Sequence, residues 1–122
     1  MSQKDYPNAI KAFERLYESN KTRSDILQIL YQLYGSQNDY KMMIKCLERL
    51  ETLEGTNEQI SLSKMQLYEQ MGEKRKEYDE LKSLVDSHPL DLNYRVMFGN
   101  WLLQNGKKKE ALQKYRDVLK ED

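Results

Sequence analysis

A single cysteine, Cys46, leaves no partner for a disulfide within the chain. No apolar run approaches the roughly 20 residues that a membrane-spanning helix needs. The opening residues, Met1 followed by Ser2, Gln3, Lys4 and Asp5, lack the apolar stretch of a signal peptide. An excess of one charge is missing as well: Lys+Arg and Asp+Glu both number 20. A general nucleic-acid binder, which needs a basic surplus for phosphate contacts, is therefore not expected. Hydrophobic residues are scarce at 39%, against roughly 45–50% in an average domain. That scarcity fits either disorder or an elongated fold with much surface per residue. Tyr, Leu, Met and Ile recur along the whole length without low-complexity stretches, which favours the elongated fold.

The usual carriers of chemistry are missing too. The sequence has no C-x-x-C pair, no H-E-x-x-H, no phosphate-cradling glycine loop and no G-x-S-x-G elbow. His88 is the only histidine and precedes Pro89 in a turn, where a solvent-facing role is expected. Cys46, on a helix beside Lys45, reads as a small packing residue rather than a reactive thiolate. The acidic residues alternate with Lys and Arg at helical spacing, as in Glu110 and Lys114, which describes a solvated face. Lys107-Lys108-Lys109 opens a helix and could meet an acidic partner, but a plain surface turn is the expectation. No catalytic residue, cofactor or metal is implied.

What the chain does have is a period. Ala9, Met43, Glu77 and Ala111 follow one another at a constant interval of 34 residues. Phe13, Leu47, Leu81 and Tyr115 keep the same interval, as do Leu16, Leu50, Leu84 and Val118. Asp5-Tyr6 recurs as Asp39-Tyr40, and Gly72 as Gly106. Within each unit the apolar spacing is helical, for example Ile26, Leu27, Leu30, Tyr31 and Tyr34. Turn-forming residues interrupt it at Gly35 to Asn38, Gly55 to Asn57, Gly72, His88-Pro89 and Asn105-Gly106. The pattern predicts an all-α chain of seven helices, at about 5–19, 23–35, 39–54, 57–71, 73–87, 91–104 and 107–121.

These residues resemble the tetratricopeptide repeat, a pair of antiparallel helices in 34 residues. Phe98-Gly99 stands where the family has Leu-Gly, Ala111-x3-Tyr115 where it has Ala-x3-Phe, and Ala9-x3-Phe13 matches that second element outright. Pro89 sits at the inter-repeat proline. The resemblance covers essentially the whole chain and implies a right-handed α-solenoid of helix hairpins. Its register gives the second helix of a truncated repeat over 1–23, full repeats over 24–57 and 58–91, and a repeat truncated at its end over 92–122. A piece of a longer array is thus expected, with Leu112, Tyr115 and Leu119 incompletely covered and supporting weak self-association. The small residue of the first helix becomes Tyr31 and Met65, and the alanine of the second becomes Met43 and Glu77. Small residues let paired helices approach, so looser packing is expected there, and Lys64 and Glu77 make 58–91 the least regular unit.

The resemblance also implies a function: such arrays hold a polypeptide on the concave face lined by their first helices. The corresponding positions are Gln28 and Gln32, beside Asp25, in one repeat. They are Gln59, Leu62, Gln66 and Gln70, with Glu69, in the next, and Asn93, Val96, Asn100 and Gln104, with Leu103, in the last. Side-chain amides both donate and accept, which suits a peptide backbone. The family's clamp for acidic chaperone tails uses cations, whereas this chain has Gln28, Gln32, Ser63, Asn93 and Met97, so that role is rejected. Tyr34 and Tyr68 fall on aromatic core positions and Tyr6 and Tyr40 on turn positions, so packing rather than base stacking is expected of them. The expected role is a non-catalytic interaction module with a protein or peptide partner. The alternatives are a helical-repeat RNA binder and a regulatory or docking segment of a larger enzyme.

Overall fold

The computed structural model describes residues 5–120, and among them it has seven α-helices and no strand. They are α1 (Tyr6–Ser19), α2 (Ser24–Ser36), α3 (Tyr40–Glu54), α4 (Glu58–Met71), α5 (Lys74–Ser87), α6 (Leu92–Gln104) and α7 (Lys108–Lys120). Every described boundary lies within one residue of its expected place; the expected end of the last helix, at Glu121, lies outside the described residues. The first helix of each hairpin begins at Ser24, Glu58 and Leu92, the second at Tyr40, Lys74 and Lys108. The interval of 34 residues is therefore kept by the backbone as well as by the side chains.

Short polar side chains fix several of these starts. Asp39 Oδ1 accepts from the Met42 N–H at 3.2 Å and Asn57 Oδ1 from the Ile60 N–H at 2.8 Å. Asp91 Oδ1 accepts from Asn93 and Tyr94 at 3.0 and 3.4 Å. Each satisfies an amide that the helix itself cannot pair.

The turn inside each hairpin is one structure repeated three times. Asn38, Gly72 and Gly106 all lie in the left-handed region, with φ of 56°, 72° and 77°. The following amides, of Asp39, Glu73 and Lys107, reach back to the carbonyls of Tyr34, Tyr68 and Leu102 at 2.9, 2.9 and 2.8 Å. This is the Schellman closure of a helix end, which usually takes glycine and tolerates asparagine. It reverses the chain within three residues and sets consecutive helices side by side.

Cα packing divides the chain into two compact units, one reaching to Ile60 and one beginning at Ser61. In the first, α2 packs on both α1 and α3 around buried Ile26, Leu30, Tyr34 and Cys46. Tyr31 and Met43, the bulky replacements for small residues, pack against this cluster from partly buried positions. Glu14 Oε1 accepts from the Tyr34 hydroxyl at 2.9 Å and from Arg49 Nη1 at 3.1 Å, and the Arg49 guanidinium lies 4.8 Å from the Tyr17 ring centroid. One half-buried carboxylate thereby links all three helices. Burial pushes the Cys46 thiol up to about 11, so it stays protonated near neutrality and behaves as the packing residue expected.

In the second unit α6 packs on α5 and α7 around Leu81, Phe98, Leu102 and Ala111. Met65 of α4 packs against the same cluster. Lys64, on the buried stripe of α4 with Ile60, Ser61, Leu67 and Tyr68, meets Glu80 of α5 at 2.9 Å. Gly99 lets the Tyr115 ring close onto α6: a Cβ there would stand 2.7 Å from Tyr115 Cε1. Tyr34 and Tyr68 are buried and Tyr6 and Tyr40 half-buried, in keeping with packing roles.

Candidate functional site

The faces expected to bind lie on α2, α4 and α6. Asp25, Gln28, Ile29 and Gln32 are exposed on α2, opposite the buried Ile26, Leu27 and Leu30. Arg23 Nη2 holds the Asp25 carboxylate at 2.6 Å and keeps it below its ordinary range. The Gln28 and Gln32 amides make no hydrogen bond among the described residues. Gln59, in the first turn of α4, is likewise exposed.

In the second unit Gln66 and Gln70 of α4 are exposed, whereas Leu62 is half-buried and offers only part of its side chain. On α6 the exposed residues are Asn93, Val96, Asn100, Leu103 and Gln104. Asn100 is engaged within the fold: its Oδ1 accepts a hydrogen bond from the Tyr115 hydroxyl. Leu103 is 48% exposed and Val96 38%, so this face is more apolar than a count of amides suggests.

His88 is not a solvent-facing turn residue: it is half-buried, its Nδ1 lies 3.2 Å from the Leu84 carbonyl, and its ring meets Tyr94 edge-on at 5.5 Å. Its place directly after α5 puts the imidazole against the last turn of that helix. Lys107, Lys108 and Lys109 are all exposed. On α7 Leu112 and Leu119 are exposed as expected, while Tyr115 is half-buried against Gly99.

One arrangement was not anticipated from sequence. Glu77, at a position where the repeat resemblance calls for a small residue, is buried and accepts a hydrogen bond from Trp101 Nε1 at 2.8 Å. Tyr78 packs against the same indole at 5.3 Å, tilted by 54°. Trp101 lines two clefts, one of about 510 Å³ bordered by Lys74, Tyr78 and Lys107, the other of about 350 Å³ bordered by Met65, Glu69 and Gln104. Trp101→Phe removes the donor to a buried carboxyl and is expected to cost about 1–2 kcal/mol, in the lower part of the range because water can reach the half-buried indole. Adding Glu77→Met should return much of that loss. Thermal melts of the single and double variants decide it; equal losses would mean that the hydrogen bond carries little.

Among the described residues no group of three or more His, Cys, Asp and Glu is placed to hold a metal ion, and no helix is long and apolar enough to cross a membrane. Spare amides and exposed aliphatic side chains leave these faces able to make contacts.

No protein-family model matches the sequence, and no curated protein does. Solved structures do match in fold. A MamA protein superposes with a TM-score of 0.65 at 17% identity, over 94% of this chain and 63% of its own. MamA from Desulfovibrio magneticus RS-1 gives 0.63 at 16% identity, over 95% and 66%. A tetratricopeptide repeat protein from Parabacteroides merdae gives 0.57 at 15% identity, over 97% and 46%. This chain thus spans about two-thirds or less of these proteins. The likeness establishes the fold: an α-solenoid type built of antiparallel helix hairpins, as in tetratricopeptide repeats.

Proposed function

We propose that this chain is a non-catalytic protein-interaction module that contacts extended polypeptide through the exposed face of α2 in the first unit and, separately, through those of α4 and α6 in the second. The observation that carries the reading is the set of exposed amides, Gln28, Gln32, Gln66, Gln70, Asn93 and Gln104, none of which hydrogen-bonds within the described fold. Each offers a donor and an acceptor to a peptide backbone at no cost to the helix bearing it. Ile29, Val96 and Leu103, exposed on α2 and α6, supply apolar contact beside them. The repeat fold supports this reading, since a helical-repeat scaffold presents its side chains on regularly spaced helices.

The test is affinity capture from an extract of the source cell, with the wild type set against a variant carrying Gln28, Gln32, Gln66 and Asn93→Ala. Because all four side chains are exposed, each substitution should change stability by no more than about 0.5 kcal/mol. A protein retained by the wild type and lost from the variant supports the assignment. Identical retention by both, with matching melting curves, would sink it. A collapse of the variant's melting curve would instead make these residues structural.

A further inference from the structure

The cleft of about 510 Å³ in the second unit has the size of ligand-binding sites. Trp101 and Tyr78 form its aromatic wall, and Lys74, Arg75 and Lys107 line it with three cations. None of the three is ion-paired among the described residues, although other lysines and arginines of the chain are. Asp79 and Glu110 also line the cleft, leaving three positive charges against two negative ones. The first turns of α5 and α7 contribute Lys74, Arg75 and Glu110, Lys107 directly precedes α7, and the positive ends of two helix dipoles add to the balance.

A densely charged polyanion is poorly served here, because two carboxylates share the wall and the chain has no net charge. An aromatic surface flanked by unpaired cations instead matches a ligand that is part apolar and part anionic. The hydrogen bond from Trp101 Nε1 to Glu77 fixes the indole, so the surface is set before anything binds.

We propose that this cleft docks an acidic peptide segment of a partner protein, whose aromatic side chain packs on Trp101 and Tyr78 while flanking carboxylates meet Lys74, Arg75 and Lys107. The inference rests on the reading of the chain as an interaction module and adds a second contact, separate from the amide-bearing faces.

Trp101 is the only tryptophan, so its emission reports on the cleft directly. The full chain is titrated with the capped peptide Glu-Asp-Phe-Glu-Asp, at low salt so that exposed charges are little screened. A saturable emission change below about 1 mM peptide is expected. Lys74→Gln, Arg75→Gln and Lys107→Gln together should weaken it at least about tenfold, a loss read from the same titration. The neutral peptide Gln-Asn-Phe-Gln-Asn should give no saturable change. The proposal is overturned by no saturable response to the acidic peptide, by equal binding to the triple variant, or by equal binding of the neutral peptide. Tripolyphosphate producing the same saturable change would also overturn it, by assigning the site to polyanions at large. If the titration fails while the capture experiment succeeds, the cleft is dismissed and the module stands. Peptide binding with unaltered capture by the Gln/Asn variant dismisses the helix faces and keeps the cleft.

Discussion

Leu102→Ala is expected to destabilise the second unit by about 2–5 kcal/mol. Leu102 has no exposed surface and sits in one cluster with Leu81, Phe98 and Ala111. Its neighbours are large and held elsewhere: Tyr78 stacks edge-on with Phe98 at 5.5 Å, and Trp101 is tied to Glu77. They cannot readily collapse into the space left by three methyl-sized groups, so both the transfer and the cavity contributions apply. The backbone carbonyl of Leu102 also receives the Lys107 amide that closes the hairpin, so loosening here reaches the turn. Denaturant titration followed by Trp101 emission measures the loss, because the indole belongs to the same unit. A loss below about 0.5 kcal/mol would place Leu102 outside a packed core.

The second large effect is expected at Gly99. Leucine there should cost about 3 kcal/mol, since even a Cβ would stand 2.7 Å from Tyr115 Cε1 and 3.1 Å from Cδ1. The ring has little freedom to withdraw, with its hydroxyl donating to Asn100 of the same helix. Two opposing effects make Gly99→Ala informative. Alanine favours the helix by roughly 0.5–1 kcal/mol over glycine, but it meets the ring. In a Tyr115→Ala background the collision is gone, and Gly99→Ala should become stabilising. Melting curves of the four proteins in this cycle give the coupling. Strict additivity would show that the two residues do not touch.

Much of this architecture is legible in the residues because it repeats. The 34-residue interval places every described helix boundary within one residue, and the caps at Asp39, Asn57 and Asp91 are residue types that announce a helix start. Gly72 and Gly106 announce the left-handed turn as well. Asn38 takes the same conformation without being glycine, and only the backbone reveals that the three turns are equivalent. The Glu77–Trp101 pair escapes a periodic reading for a different reason. Its partners are 24 residues apart, and Glu77 looks like a departure from the repeat until Trp101 is placed beside it. A polar residue at a position meant for a small one, in a chain with a single indole donor, is the one signal that could have found the pair. The binding faces are legible in position but not in state. Helical spacing marks Asn100 as outward-facing, yet its engagement by Tyr115 depends on how closely α6 and α7 approach, which Gly99 controls.

The hairpin turns have a consequence for how the chain reaches this structure. Four helix pairs that pack within a unit, α1 with α2, α2 with α3, α5 with α6 and α6 with α7, are neighbours in sequence. Their contacts close short loops, and the entropy lost in closing a loop grows with its length. Chains dominated by such local contacts form their native structure in microseconds to milliseconds. Because each pairing is made by the next segment to emerge, assembly can keep pace with synthesis, and little apolar surface waits long for its partner.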